Sequence, residues 1–125
     1  MFVAKGALSS FSVNDIPAAR QFYGRTLGLT VADGGMGTLD LTLPGGGKVL
    51  VYPKDNHEPA TFTVLNFLVE DVDAAVQQLN DLGVQTKIYD DPGLPTDDRG
   101  IMRAEGLEIA WFKDPAGNVL AVLKD

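Results

Sequence analysis

An internal repeat constrains this chain more than any other feature of its sequence. Residues 11–31 read FSVNDIPAARQFYGRTLGLTV, and residues 67–86 read FLVEDVDAAVQQLNDLGVQT. The two runs share apolar, acidic and glycine positions, which pair as Phe11 with Phe67, Asp15 with Asp71 and, after a slip of one residue, Gly28 with Gly83. Two copies of one supersecondary unit are the simplest explanation of such self-similarity.

Each copy is predicted to begin with a β-strand that leads into a helix. Residues 8–13 and 64–69 are rich in β-branched and aromatic side chains, as strands are. Asp15 and Asp71 stand where a helix needs an N-cap acceptor, and the aligned glycines stand where a left-handed C-cap is expected. Helical spacing predicts two buried stripes, one of Ile16, Ala19, Tyr23 and Leu27 and one of Val72, Ala75, Val76, Leu79 and Leu82.

The rest of each copy alternates strands with turns. The predicted strands are 29–32, 38–43 and 48–52 in the first copy, and 84–89, 108–112 and 119–123 in the second. We therefore predict an α+β fold, with two tandem βαβββ modules (residues 1–57 and 60–125) in one domain. The segment 90–105 is predicted to be a long loop, which serves either as a binding lid or as a mobile connection.

Composition excludes several classes of function. The net charge of −7 argues against binding to the nucleic-acid backbone, which requires clustered Lys and Arg. No apolar stretch approaches the roughly 20 residues of a membrane helix. The absence of cysteine excludes disulfides, thiolate metal sites and cysteine nucleophiles. We expect a cytoplasmic protein with neither a nucleic-acid nor a membrane partner.

Three features together resemble the vicinal oxygen chelate superfamily, which has the glyoxalase, bleomycin-resistance and dioxygenase fold. They are the duplicated βαβββ unit, the run from Asn14 to Gly28, and WFKDPAGN at residues 111–118. The resemblance covers essentially the whole chain. It implies that the two modules form a cup-shaped mixed sheet with the helices on the outer face. It also implies a homodimer, because such proteins often complete their site with a second subunit.

Metal-dependent members of that superfamily place four ligands in the cup, usually His, Glu or Gln. Transfer of these positions to this sequence gives only aliphatic residues, namely Leu8, Val64, Ala121 and either Leu50 or Val51. Divalent metals require N, O or S donor atoms, which these side chains lack. We therefore expect no metal at the usual position and no other cofactor. The lyase, epimerase and dioxygenase activities that depend on the metal are disfavoured for the same reason.

Strand alternation places several polar side chains on the predicted cup face. A mostly apolar cavity with a few polar points is the usual composition of a small-ligand site. The candidate ligand-binding residues are Ser10, Ser12 and Asn66, together with the aromatics expected near the cup mouth, Tyr52 and Trp111. Structural roles remain the alternative, as space-filling residues, strand-to-strand hydrogen bonds or core packing. The alternate residues are expected to pack against the helices: Phe11, Val13, Leu65, Phe67 and Val69.

The only histidine, His57, lies between the two modules and is a weak candidate for a general base. Three functions follow from these observations. The first is a protein that binds a small organic ligand without a metal and sequesters a drug or a metabolite. The second is a metal-free enzyme that uses His57, Glu105 or a neighbouring acid on a small carbonyl compound. The third, disfavoured by donor chemistry, is a metalloenzyme of glyoxalase or dioxygenase type with unconventional ligands.

Overall fold

The computed structural model describes residues 1–124 and contains two four-stranded mixed sheets, each with its own helix. The chain divides into two compact units, Met1–Pro59 and Ala60–Asp125. Each unit carries one βαβββ sequence of elements, so the predicted α+β class and the tandem repeat are confirmed. No helix within residues 1–124 is long and apolar enough to cross a membrane.

The first unit contains four strands and one helix. In chain order these are β1 (Ser9–Val13), α1 (Ile16–Arg20), β2 (Thr30–Asp33), β3 (Leu39–Thr42) and β4 (Lys48–Pro53). The strand order in the sheet is β1-β4-β3-β2, with β1 parallel to β4 and the other pairs antiparallel. The first and last strands of the unit, β1 and β4, are therefore neighbours in the sheet.

The first helix begins as predicted but ends differently. Asp15 Oδ1 accepts a hydrogen bond of 3.0 Å from the backbone N–H of Ala18, which confirms the N-cap. Residues 21–26 then form a π-helical turn, in which the N–H of Leu27 bonds to the carbonyl of Phe22 at 2.9 Å. The wider turn changes the helical phase, so Phe22 joins Tyr23 in the core. Of the predicted stripe, Ala19 and Tyr23 are buried, whereas Ile16 and Leu27 at its two ends are only half-buried.

The second unit repeats the same architecture. Its elements are β5 (Thr63–Leu68), α2 (Val72–Asp81), β6 (Ile101–Ala104), β7 (Leu107–Lys113) and β8 (Val119–Lys124). The strand order is β5-β8-β7-β6, and β5 runs parallel to β8. Each sheet thus pairs the first strand of its module with the last, and this places the predicted site residues on adjacent strands.

Helix α2 follows its predicted stripe except at its last member. Asp71 Oδ1 accepts a 3.0 Å hydrogen bond from the N–H of Ala74, which confirms the second N-cap. Leu82 is 56% exposed, and its predicted burial is wrong. Leu82 is already the C-cap residue, and the left-handed Gly83 (φ 84°) turns the chain away from the helix axis. The remaining stripe is buried: Val72, Ala75, Val76 and Leu79.

The predicted strand at 84–89 is wrong, because the third element of the second module is β6, inside the segment predicted to be a loop. Strand β6 reaches β7 through a two-residue turn, Glu105-Gly106, whose φ angles are both positive at 52° and 83°. Such turns match the twist of a hairpin. A local hairpin therefore supplies the partner of β7, and residues 84–89 remain outside the sheet.

One face of each sheet packs on its helix, as alternation predicted. In the first unit Phe11 and Val13 are buried, and the ring of Phe11 lies 5.8 Å from that of Tyr23. In the second unit α2 packs against β7 and β8. The predicted helix-facing residues of the second module are half-buried: Leu65, Phe67 and Val69. The opposite face of each sheet is where the candidate binding residues lie.

Candidate functional site

The predicted hydroxyl residues of the first module lie together on one face of its sheet. Ser10 is in register with Leu50, and Ser12 is in register with Tyr52. Directly paired residues of adjacent strands point to the same side of a sheet. The structure also decides the position that the sequence left open, because Val51 pairs with Phe11 on the helix side and is fully buried. Leu50 is therefore the residue on the side of the serines.

This face, called here the hydroxyl face (Ser10, Ser12, Asp40, Leu50 and Tyr52), is open. Ser10 and Asp40 are exposed, and the other three side chains are half-buried. Asp40 joins the face because it pairs with Leu50 across β3 and β4. Sequence reasoning missed Asp40. The alternation of Leu39, Asp40 and Leu41 is the signal that could have found it, because the two leucines are buried.

His57 lies beside the hydroxyl face. The Oγ atom of Ser12 is 2.7 Å from Nδ1 of His57, and both side chains are partly buried. The hydroxyl donates to Nδ1 in the tautomer that carries its proton on Nε2. The backbone N–H of His57 bonds to the carbonyl of Lys54 at 3.1 Å, which holds the histidine in a turn after β4. The sequence proposed Ser12 and His57 separately, and the fold brings them into contact.

The second sheet presents a different face. Asn66, Ala121 and Trp111 are in register across β5, β8 and β7. Asn66 is exposed, whereas Ala121 and Trp111 are buried in a cluster with Ile109 and Val119. The indole N–H of Trp111 donates a 3.2 Å hydrogen bond to Thr63 Oγ1. Of the two candidates in this module, Asn66 is therefore accessible and Trp111 lies beneath other side chains.

The cover over Trp111 comes from residues 84–100, called here the strap. Three apolar strap residues pack against the cluster that contains Trp111: Ile88, Tyr89 and Leu94. The ring centroids of Tyr89 and Trp111 are 5.3 Å apart with the planes at 80°, an edge contact favoured between aromatic rings. The first sheet is thus open and hydroxyl-bearing, and the second is apolar and partly covered by its own chain.

Ion pairs connect the strap and β6 to helix α2. Arg103 contacts Asp73 at 2.9 Å and Asp97 at 3.2 Å, and Arg99 contacts Asp73 at 3.4 Å. Burial raises the pKa of Asp97, but backbone N–H donors from Ile101 and Arg99 and the charge of Arg103 outweigh it. The pKa of Asp97 consequently lies below its ordinary value of 3.8. These contacts stabilise the C-terminal end of the strap.

Comparison with known proteins identifies the family. The model of the Glyoxalase/Bleomycin resistance protein/Dioxygenase superfamily matches residues 10–122. The chain belongs to this superfamily. No curated protein sequence matches it significantly. Among solved structures, TnmS3, an antibiotic binding protein from Streptomyces sp. CB03234, is 26% identical, with a TM-score of 0.70 and 98% of each chain covered.

Two further members have the same fold. The integron cassette protein VCH_CASS1 from the mobile metagenome of V. cholerae is 25% identical, with a TM-score of 0.62, and 99% of this chain and 98% of that chain are covered. The fosfomycin resistance protein FosX from Listeria monocytogenes is 14% identical, with a TM-score of 0.73, and 99% and 95% are covered. The likeness to FosX shows the fold alone.

The residues that the resemblance assigns to the metal positions of the superfamily carry no donor atoms for a divalent metal. Leu8 precedes β1 and is exposed, Leu50 lies on the hydroxyl face, Val64 lies at a bulge in β5, and Ala121 is buried. None of the four carries a donor atom, whereas Zn²⁺ and its neighbours require N, O or S ligands. Within residues 1–124, no three His, Cys, Asp or Glu side chains are grouped to hold a metal ion.

Glu105 does not join either face. It occupies the exposed turn between β6 and β7, with a left-handed φ of 52°. Its position in that turn supports a role in the hairpin, because a two-residue hairpin turn of this kind needs positive φ at both positions. Of the two weak catalytic candidates, only His57 is therefore placed beside other candidate residues.

Proposed function

We propose that this superfamily member binds a small organic molecule without a metal at the family's ligand positions, and so sequesters a drug or a metabolite. The observation that carries the proposal is the chemistry of the hydroxyl face. Ser10, Ser12 and Tyr52 provide hydroxyl groups around Leu50, whose aliphatic side chain cannot ligate a metal. The similarity to TnmS3, an antibiotic binding protein, supports the same proposal.

The hydroxyl face has the two kinds of group that a small-ligand site uses. Leu50 and the ring of Tyr52 offer apolar surface, whose removal from water is worth about 25 cal/mol per Å². The serine and tyrosine hydroxyls both donate and accept hydrogen bonds, and therefore orient a ligand rather than merely retain it. Asp40 adds a negative charge at the exposed side. In the second module, Asn66 and Trp111 are the proposed binding residues.

The proposed setting is a homodimer in the cytoplasm. Two-fold dimers are the commonest assembly of soluble proteins. The absence of cysteine from the sequence suits a reducing compartment. Size-exclusion chromatography with light scattering measures the mass directly. A mass of one 13.3 kDa chain at micromolar concentration would contradict the dimer.

The test combines a ligand screen with metal analysis. A library of small aromatic and heterocyclic compounds is screened by thermal shift, with and without EDTA, and the purified protein is analysed for metals by plasma mass spectrometry. We expect ligand-induced shifts that EDTA does not change. Stoichiometric metal, or shifts that disappear with EDTA, would overturn the proposal.

Neighbouring serines provide a matched control for the site. Ser10 lies on the hydroxyl face, whereas Ser9 pairs with Val49 and points to the opposite side of the same strand. Ser10→Ala is expected to weaken binding of a ligand from the screen about tenfold, the effect of one lost hydrogen bond to a buried ligand group. Ser9→Ala is expected to leave the affinity unchanged. Equal effects of the two variants would place the ligand elsewhere.

A metal-free enzyme is the second candidate function, and the contact between Ser12 and His57 favours it. The distance of 2.7 Å lies within the range in which a histidine accepts the proton of a serine hydroxyl that attacks a carbonyl. The test is turnover of an activated ester such as 4-nitrophenyl acetate. If Ser12 and His57 catalyse the reaction, the wild type hydrolyses the ester faster than buffer alone, and both Ser12→Ala and His57→Ala reduce the rate to that of buffer. Equal rates in wild type and both variants would exclude this candidate.

A further inference from the structure

We propose that the second module contains a site for a flat aromatic ring at the place where the Tyr89 ring now lies on Trp111. The strap is then the gate of that site, and a ligand binds when the strap's middle part lifts. The inference rests on the proposed function, because it names the ligand class and the control of access for Asn66 and Trp111.

The floor of the site is formed by Trp111 and its neighbours in the sheet. The hydrogen bond from its indole N–H to Thr63 Oγ1 fixes the orientation of Trp111. Its direct partner in β8, Ala121, presents only a methyl group, whereas the larger Val119 and Leu123 of the same strand lie to either side. Ile109 completes the apolar floor. An indole held in one orientation is a stacking or edge partner for a second aromatic ring.

The middle of the strap is held by hydrogen bonds within the strap, and it contacts the sheet through apolar side chains. Lys87 Nζ donates to the carbonyl of Thr96 at 3.2 Å, and Thr96 Oγ1 donates to the carbonyl of Tyr89 at 3.0 Å. The N–H of Leu94 bonds to the carbonyl of Asp91 at 2.8 Å. Residues 85–96 form no β-ladder with any strand. The middle of the strap can therefore move without breaking a sheet hydrogen bond.

Both ends of the strap are anchored. Thr86 Oγ1 donates to the carbonyl of Arg99 at 2.7 Å, and a Cβ atom on Gly100 would lie 1.9 Å from the carbonyl oxygen of Thr86. Asp97 Oδ1 accepts from the N–H of Ile101 at 2.9 Å. Thr86 and Gly100 are buried. A segment whose ends are fixed and whose middle is not paired with a strand can open locally while the domain stays folded.

The contacts of the middle part indicate what replaces it. Its three apolar residues, Ile88, Tyr89 and Leu94, remain partly exposed while they pack against the cluster. Among these apolar contacts, the edge contact of the Tyr89 ring with Trp111 has a defined geometry. A free aromatic ring reproduces that contact, and the exposed amide of Asn66, in register with Ala121, offers a hydrogen bond to a polar substituent. The predicted ligand class is a neutral aromatic compound with a hydroxyl or amino group.

The experiment uses 4-methylphenol, which reproduces the tyrosine side chain, as the probe. Trp111 is the only tryptophan, so labelling with 5-fluorotryptophan gives one ¹⁹F resonance that reports on this site. We expect 4-methylphenol to shift that resonance saturably in the wild type. In the Tyr89→Ala variant, half of the shift is expected at a 4-methylphenol concentration about tenfold lower than in the wild type. The reason is that the competing Tyr89 ring is gone. No saturable shift in either protein would overturn the inference.

The Leu94→Ala variant distinguishes opening of the strap from binding in a cavity that the loss of the Tyr89 ring creates. This substitution weakens the strap's hold on the cluster but leaves the Tyr89 ring in place, so it creates no hole of the probe's shape. A gate predicts tighter binding than wild type in Leu94→Ala; unchanged affinity would show that Tyr89 is only a core residue, and overturn the gate. Leu94→Ala also keeps the test decisive if Tyr89→Ala does not fold.

Different measurements test the aromatic site at Trp111 and the proposed function of the hydroxyl face. Affinity that depends on Ser10 reports on the hydroxyl face of the first module, whereas the Trp111 resonance reports on the second module. A ligand from the thermal-shift screen whose affinity depends on Ser10, combined with a Trp111 resonance that does not respond to 4-methylphenol, would preserve the proposed function and overturn this inference.

Discussion

The Oγ atom of Ser12 lies 2.7 Å from Nδ1 of His57, although 45 positions separate the two residues in the chain. Ser12 is near the end of β1, and His57 follows β4, the parallel neighbour of β1. The contact fastens the segment after β4 to the face on which the candidate binding residues lie. Because both partners are partly buried, the contact affects stability as well as the chemistry of the face.

Ser12→Ala is expected to lower the free energy of unfolding by about 1 kcal/mol, the usual net value of such a hydrogen bond. The variant leaves Nδ1 of His57 with one partner fewer in a partly buried position. Urea denaturation at neutral pH measures the change. Ser9→Ala changes an exposed residue on the opposite face of β1 and is expected to change stability by less than about 0.5 kcal/mol. Equal losses in the two variants would contradict the prediction.

Gly100→Ala is expected to destabilise the second module strongly. The new Cβ atom would lie 1.9 Å from the carbonyl oxygen of Thr86, and the backbone φ of 89° is already unfavourable for alanine. A clash and a strained φ each cost about 1–3 kcal/mol. Thermal unfolding of Gly106→Ala provides the control, because φ there is 83° and nothing lies within 4 Å. The prediction is wrong if Gly106→Ala is as destabilised as Gly100→Ala.

Asp71→Ala is expected to cost about 1 kcal/mol of stability through loss of the N-cap of α2. The carboxylate accepts a hydrogen bond of 3.0 Å from the N–H of Ala74, and alanine has no oxygen that could replace it. Asp71→Ser keeps a capping oxygen and is expected to retain most of the stability. Urea midpoints compare the three proteins. A serine variant as unstable as the alanine variant would show that the cap is not the cause.

The lowered pKa of Asp97 predicts a loss of stability in acid. A carboxylate whose folded pKa lies below its ordinary value of 3.8 stabilises the native state at higher pH. That contribution is complete above the unfolded value and disappears as the pH falls through the lower folded value. The advantage of wild type over Asp97→Asn is therefore expected to be full at pH 7 and to shrink below about pH 4.

Urea unfolding at several pH values between 7 and 3 measures this advantage. Asp98→Asn is the control, because it removes the same formal charge from an exposed neighbour. Its midpoint is expected to follow that of the wild type at every pH. An Asp97→Asn variant that loses stability in acid as steeply as the wild type would contradict the assignment.

Local signals predicted a large part of this fold. The capping aspartates, Asp15 and Asp71, and the left-handed glycines, Gly28 and Gly83, are in the predicted places. These features depend on a few neighbouring residues, whose backbone preferences and hydrogen bonds do not need the rest of the chain. Alternation in β1 placed Ser10 and Ser12 on one face for the same reason.

Features that depend on which of several segments takes a given place could not be predicted in this way. Residues 84–89 have the composition of a strand, but β6, which the turn at Glu105 and Gly106 joins to β7, is the strand that pairs with β7. The π-helical turn is another case, since helical spacing alone does not place Phe22 in the core. In both cases the preference of a segment considered alone is outweighed by its neighbours.

The sequence by itself determined the duplicated βαβββ architecture and the caps of both helices, because each depends on residue types at short spacing. Only the tertiary structure decided that Leu50 rather than Val51 faces the serines, that His57 meets Ser12, and that Tyr89 covers Trp111. These relationships join residues far apart in the chain. They are set by strand register and by which apolar surface the strap covers, and neither is encoded in a local pattern.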